Sequence, residues 1–204
     1  QLVRTRIPIA GATRIAGAVH ETGTGKEYRF TPAGPTVSEA EWRACLDALR
    51  DVEADYLVAS GSLPQGVPAD FYARVSAILA RRGIPFALDT SGEALKAGLA
   101  GGGAALVKPS QGELQHFAGQ PLGSVEAIAQ AARAIVAAGQ ARMVAVTMGH
   151  EGAVLAHGDE TLFLPALAIE AQSAVGAGDS FLAAMVHALA GGRDVREAFR
   201  FAIA

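Results

Sequence analysis

The chain has 204 residues, half of them hydrophobic and 18% charged, enough apolar surface for one substantial core. A formal net charge of -3, with no basic run longer than Arg81-Arg82, argues against nucleic acid or an acidic membrane as partner. The single Cys45 excludes an intrachain disulfide and a cysteine metal site, and neither a membrane-length apolar run nor a signal-peptide pattern is present, so a cytoplasmic enzyme or binding domain is expected.

In chain order, residues 14–31 hold two extended stretches either side of "TGTG", whose glycines supply the positive φ of a hairpin turn. The alternation in "IAGAVH" is weak, so an edge ribbon is the plain reading of this hairpin. Cys45 is spaced with Trp42, Leu46 and Leu49 on one helical face, as a small core residue. From residue 54 the rhythm changes. "DYLVAS" reads as a strand ending at Gly61, and "PADFYARVSAILARRG" as a helix with Phe71, Val75, Ile78 and Leu79 on one side and Gly83 as its stop. "IPFALDTS", "AALVKPS" and "RMVAVTMG" read as strands, separated by the helical patterns "GEALKAGLA", "SQGELQHFAG" and "SVEAIAQAARAIVAAG". "GAVLAHGDETLFLP" predicts a second hairpin turning at "HGDE", followed by helix 179–190 and a last helix from about residue 194.

Apolar strands alternating with amphipathic helices predict an α/β fold, a mostly parallel sheet covered on both faces. In such sheets the polar residues just after the strands face the ligand crevice. Here these are Ser60, Ser62, Asp89, Lys108, Thr147 and the loop before Asp179. Any one of them is an ordinary turn residue; together on one rim they favour a site.

Three familiar motifs fail. "TGTGKEY" lacks the P-loop glycine, since residue 20 is histidine, and has Glu27 where Ser or Thr follows the lysine. "GAGDSF" carries Phe181 where a dinucleotide fingerprint needs its third glycine. The five histidines lie far apart, without metal-ligand spacing. What remains is "SAVGAGDSF" itself. Gly176, Ala177 and Gly178 leave successive backbone N–H groups unshielded at a helix N-terminus, an anion hole. Asp179 read alone is a helix cap. Beside an anion hole it suits phosphoryl transfer, accepting the proton of an attacking hydroxyl.

"VGAGDSF" resembles the C-terminal signature of the PfkB carbohydrate kinases, the ribokinase-like family. "ASGSLPQGVP", "LDTSGEAL", "VKPSQGEL" and "VTMGHEGAVLA" follow in that family's order, so the resemblance covers nearly the whole chain. "IPIAGATR", "GKEYRFTPAGP" and "LDTSGEALKAGL" look most like the minor bacterial 6-phosphofructokinases, with tagatose-6-phosphate kinases and 1-phosphofructokinases as near relatives. The resemblance implies a ribokinase-like α/β/α sandwich with a small β-lid hairpin, and ATP-dependent transfer to C1 of fructose 6-phosphate. It implies Asp179 as general base and the backbone of Gly176, Ala177 and Gly178 as anion hole. Lys108 and Ser110 would lie near the ATP phosphates, Glu113 would help organise Mg²⁺ through water, and Thr147, Gly149 and Gly152 would line the nucleotide site. Arg14 would contact the sugar phosphate and Ser62 the sugar, while Ser173 and the Val175 carbonyl match a K⁺ site that some members use. The hairpin would cover the sugar and pair two copies into a homodimer.

Two departures stand out. Ser110 replaces the family's asparagine, which puts metal or phosphate contacts through water; the chain has no asparagine anywhere, so composition drift alone also accounts for it. The chain opens at Gln1 and stops within the helical pattern "AFRFAIA", so it reads as a fragment lacking the family's N-terminal part and C-terminal end. Two other readings stay open: a different sugar within the family, or a non-catalytic nucleotide or sugar-phosphate binding protein.

Overall fold

The computed structural model describes residues 4–168 and 175–204. They fall into two compact units, one running up to Asp51 and including Leu63–Pro68, the other holding Val52–Ser62 and the chain from Ala69 onward.

In the first unit, β1 (Gly17–Glu21) and β2 (Lys26–Phe30) pair antiparallel, from Gly17 opposite Phe30 to Glu21 opposite Lys26. Gly25 closes the turn at φ 69°, its N–H donating to the Glu21 carbonyl at 2.8 Å. Both strands are exposed along their length, including Val19, Tyr28 and Phe30. Helix α1 (Glu39–Ala48) starts on a capping box: the Ser38 hydroxyl accepts from the Glu41 N–H, and Glu41 Oε2 accepts from the Ser38 N–H at 2.7 Å. These bonds, with one from the Ala10 N–H, hold the Glu41 carboxyl below its ordinary range. Trp42 and Leu46 are buried and Cys45 and Leu49 half-buried, the face that the spacing predicts.

The second unit is a six-stranded sheet in the spatial order β3 (Leu57–Ser60), β4 (Phe86–Asp89), β5 (Leu106–Val107), β6 (Met143–Thr147), β7 (Ala153–His157), β8 (Glu160–Leu164). The first four strands pair parallel; β7 is antiparallel to both of its neighbours, β6 and β8. The crossovers are helical: α2 (Phe71–Arg81) follows β3, α3 (Gly92–Gly101) follows β4, and α4 (Gln111–Ala118) with α5 (Val125–Ala137) precedes β6. The β7–β8 turn is Gly158-Asp159, with Gly158 at φ 55° as a two-residue hairpin loop requires. Helices α6 (Ala177–Ala190) and α7 (Val195–Ile203) end the chain.

Period-two alternation divides the core. Ala87, Leu106, Met143, Ala145 and Leu155 pack against Phe181, Leu182 and Met185 of α6 and Ala198 and Phe199 of α7, with Phe181 and Phe199 edge to face at 6.1 Å. The alternate residues serve the opposite face, where a Cβ on Gly98 of α3 would stand only 2.8 Å from Leu88 Cδ2. Helices thus cover both faces of a mostly parallel sheet, the α/β arrangement the sequence predicts.

The start of α6 differs from expectation. The helix begins at Ala177 rather than Asp179, with Gly176 as N-cap at φ 80°, and no side chain caps it. Asp179 is therefore the third helical residue and does not act as the cap.

Candidate active site

The C-terminal ends of the parallel strands gather the polar residues. Ser60 ends β3, Asp89 ends β4 directly opposite it, Lys108 follows β5, and Thr147 ends β6, bridged to Ser110. The register that buries the strands also fixes this row, because a one-residue slip would turn every side chain to the other face.

Lys108 is the most unusual member. Its side chain is only 5% exposed, and its ammonium pairs with Asp89 Oδ2 at 3.1 Å. A buried ammonium costs several kcal/mol unless paired, and Asp89 supplies the counter-charge. Burial raises the Asp89 carboxyl above its ordinary value; Lys108 pulls it down, and the charges of Glu113 and Asp179 push it up again. The Asp89 carboxyl thus sits within electrostatic range of one ammonium and two further carboxylates. The same ammonium lies against the first turn of α6, since a Cβ on Gly178 would come within 3.2 Å of Lys108 Nζ.

In that turn the first intrahelical bond runs from the Ser180 N–H to the Gly176 carbonyl at 2.8 Å, so the N–H groups of Ala177, Gly178 and Asp179 precede the helical ladder. Asp179 is exposed, and the Ser60 hydroxyl donates to its Oδ1 at 3.4 Å. Backbone donors at the positive end of a helix dipole, a buried cation beside them and an open carboxylate form a constellation suited to an anion and a proton-bearing nucleophile.

Ser110 and Glu113 are joined in a second capping box at the start of α4, with the Ser110 N–H donating to Glu113 Oε2 at 2.7 Å and the Glu113 N–H to the Ser110 hydroxyl at 3.3 Å. Serine and asparagine rank together as N-caps, so serine at 110 keeps the helix start intact. Gly149 (φ 59°) and Gly152 (φ 119°) shape the turn from β6 to β7. A Cβ on Gly152 would stand 2.1 Å from the Leu164 carbonyl, so packing against the end of β8 already accounts for glycine there. Ser62 lies two residues beyond β3, and Val175 precedes the α6 cap, 55% exposed. Ser173 lies outside the described residues. Arg14 belongs to the first unit, where its guanidinium donates to the Pro32 carbonyl at 3.4 Å.

Sequence reasoning set Ser60 and Asp89 on the rim but gave neither a partner. The signal was their position at adjacent strand ends, one beside Asp179 and the other beside Lys108. Among the described residues no three His, Cys, Asp or Glu side chains are arranged to hold a metal ion by themselves, and no helix is long and apolar enough to cross a membrane.

The fold is that of an α/β protein whose polar and charged residues gather at the C-terminal ends of the parallel strands. The family model for pfkB family carbohydrate kinases matches residues 3–204. The chain belongs to that family. It is 40% identical over 188 residues to the ATP-dependent 6-phosphofructokinase isozyme 2 of Mycobacterium tuberculosis, covering 91% of this chain and 55% of that protein. It is 37% identical to the 1-phosphofructokinase of Rhodobacter capsulatus, covering 98% of this chain and 63% of that one. Among solved structures it superposes on phosphofructokinase-2 from Escherichia coli in complex with potassium (TM-score 0.88, 34% identity, 95% of this chain and 63% of that chain). The tetrameric inhibited form of the same enzyme gives a TM-score of 0.90 at 34% identity, over 97% and 65% of the two chains. The chain thus spans between 55% and 63% of the length of these curated relatives.

Proposed function

We propose that this chain carries the phosphoryl-transfer half of an ATP-dependent sugar-phosphate kinase, with fructose 6-phosphate as acceptor at its C1 hydroxyl. The observation that carries the reading is the buried Lys108 ammonium set against the first turn of α6, with the open Asp179 carboxylate one residue further on. Asp179 accepts the proton of the attacking hydroxyl as its oxygen bonds to the γ-phosphorus and the bond to the ADP oxygen breaks. The N–H groups following Gly176 and the Lys108 charge stabilise the oxygens of the group in transit. Thr147, Gly149 and Gly152 line the nucleotide, Ser62 faces the sugar, and Arg14 meets its phosphate, for which a guanidinium is well shaped.

The residues present also fit Mg²⁺. Asp89, Glu113 and Asp179 exceed the single Lys108 charge without forming a protein cage, as suits an ion that binds phosphates and keeps its waters. Glu113, through water, and Ser110 would help hold Mg²⁺, which would neutralise phosphate charge. K⁺ at Ser173 and the Val175 carbonyl rests on the resemblance and on the potassium complex of the E. coli relative. Pairing of two copies through the hairpin is supported by the exposed Val19, Tyr28 and Phe30; the tetramer known for the E. coli relative is the other assembly to test for. A cytoplasmic location goes with this reading.

Fructose 1-phosphate is the second reading, favoured by the 1-phosphofructokinase relative that covers nearly the whole chain. An ADP-release assay of the full-length protein against fructose 6-phosphate, fructose 1-phosphate, tagatose 6-phosphate and neutral sugars decides between them. Arg14→Ala is expected to raise KM for phosphorylated sugars alone. An equal rise for neutral sugars would remove the sugar-phosphate assignment, and no turnover with any sugar would leave a binding protein.

A further inference from the structure

Ser60, Gly61 and Ser62 form the turn by which the chain leaves β3 at the rim of the site. Gly61 sits at φ 113°, a conformation that L side chains rarely adopt. Its N–H donates to the Asp89 carbonyl at 2.9 Å. Its carbonyl accepts two hydroxyls, from Tyr72 at 2.8 Å and Thr90 Oγ1 at 2.9 Å. A carbonyl oxygen has two lone pairs, and both are used here.

Tyr72 and Thr90 are 7% and 4% exposed, and they come from different elements, the first turn of α2 and the residue after β4. Apolar packing does not require either hydroxyl, because phenylalanine and valine would fill nearly the same volumes. What the hydroxyls add is direction: they tie one carbonyl to a helix and to a neighbouring strand, so the turn cannot rotate. From the same turn the Ser60 hydroxyl reaches Asp179 Oδ1 across 119 residues of sequence. At 3.4 Å that bond is long, as catalytic contacts often are before substrate arrives. It engages one carboxylate oxygen, Oδ1.

We propose that Tyr72 and Thr90 are positioning residues for phosphoryl transfer: by clamping the Gly61 carbonyl they fix the turn that aims Ser60 at the Asp179 carboxylate. The proposal rests on Asp179 being the general base. Neither hydroxyl touches substrate; both act through the turn.

The test uses the full-length protein with Tyr72→Phe, Thr90→Val, the double variant, Thr90→Ser and Ser60→Ala. Each clamp variant is expected to lower kcat/KM for the sugar phosphate by about three- to ten-fold, and the double by roughly ten- to a hundred-fold, with KM for ATP within about two-fold. Thr90→Ser, which keeps the hydroxyl, should restore wild-type rates. On a Ser60→Ala background the double clamp variant should cost little more, since all act through one contact. Amide hydrogen exchange over residues 57–62 reports on the clamp without turnover and should speed up in the double variant. The proposal is overturned if the double variant keeps its kinetics, if its loss multiplies with that of Ser60→Ala, or if exchange in the turn does not change. Full activity of Asp179→Asn would instead overturn the general-base assignment, and the exchange result would still say whether the two hydroxyls hold the turn.

Discussion

Replacing Gly178 by alanine separates what the fold needs at the start of α6 from what the chemistry needs. Gly178 has ordinary helical backbone, not one of the positive-φ glycines, so local conformation does not demand glycine there. Glycine inside a helix costs about 0.5–1 kcal/mol relative to alanine, so on propensity alone the variant gains stability by that amount. The added Cβ would stand 3.2 Å from Lys108 Nζ and 3.8 Å from Cε, tighter than normal contact. Lys108 cannot yield freely, because its side chain is buried and its ammonium is held 3.1 Å from Asp89. Either the ammonium shifts by a few tenths of an ångström or the first turn lifts away, and on the proposed function both disturb the place where phosphoryl charge develops. Misplacement on the ångström scale costs on the order of 100-fold in rate, and loss of one anion-hole donor a similar amount. Gly178→Ala is therefore expected to lower kcat by roughly 10- to 100-fold while its melting temperature holds or rises. Steady-state ADP release and thermal unfolding measure the two sides. A variant with wild-type kcat, or one destabilised by more than about 1 kcal/mol, would refute the reasoning.

Asp179→Asn removes the base but keeps the shape. It should lower kcat by on the order of 10²- to 10⁴-fold with ATP affinity little changed, and near wild-type turnover would contradict the assigned role. Lys108→Met leaves the Asp89 carboxyl without its counter-charge, and this carboxyl is already raised by burial. A carboxyl raised in the fold loses stability as pH climbs from its unfolded pKa through its folded one, so the variant's deficit against wild type should grow from acid to neutral pH. Thermal unfolding at about pH 5 and about pH 8 tests this, and equal deficits would argue against the pairing. Tyr56 carries a buried hydroxyl with no hydrogen-bond partner among the described residues, and burial raises its ionisation above the ordinary value. Tyr56→Phe is expected to be neutral or stabilising by up to about 1 kcal/mol, and a clear loss in chemical denaturation would reveal a partner for that hydroxyl.

The alternation of strands and helices was legible because both faces of the sheet are covered: runs such as "MVAVT" are buried along most of their length and stand out against the amphipathic helices. The glycines before α6 were legible as unusual, and the structure gives each a local reason: left-handed backbone at Gly176 and the Lys108 ammonium beside Gly178. Less was readable where function depends on pairs distant in sequence. That Asp89 neutralises Lys108, or that Ser60 meets Asp179, follows from strand register and from the docking of α6, which no local pattern encodes. Asp179 taken alone also fitted a cap, because aspartate at a helix start so often is one. Only the left-handed backbone at Gly176 moves the helix start back and turns the carboxylate into an open third residue. Gly152 carries a packing reason of its own, the backbone at the end of β8, which the sequence alone could not separate from a ligand role.

The spatial order of the six strands has a consequence for how the chain assembles. Each strand lies beside its predecessor in sequence, so the sheet can grow by adding one neighbour at a time across short crossovers, each with a small loop-closure cost. Helix α6 is different, since it returns across the face to strands made long before it. Ser60, Asp89 and Lys108 are brought together by neighbouring strands alone, whereas Asp179 and the helix N-terminus join them only through the docking of α6 on the sheet.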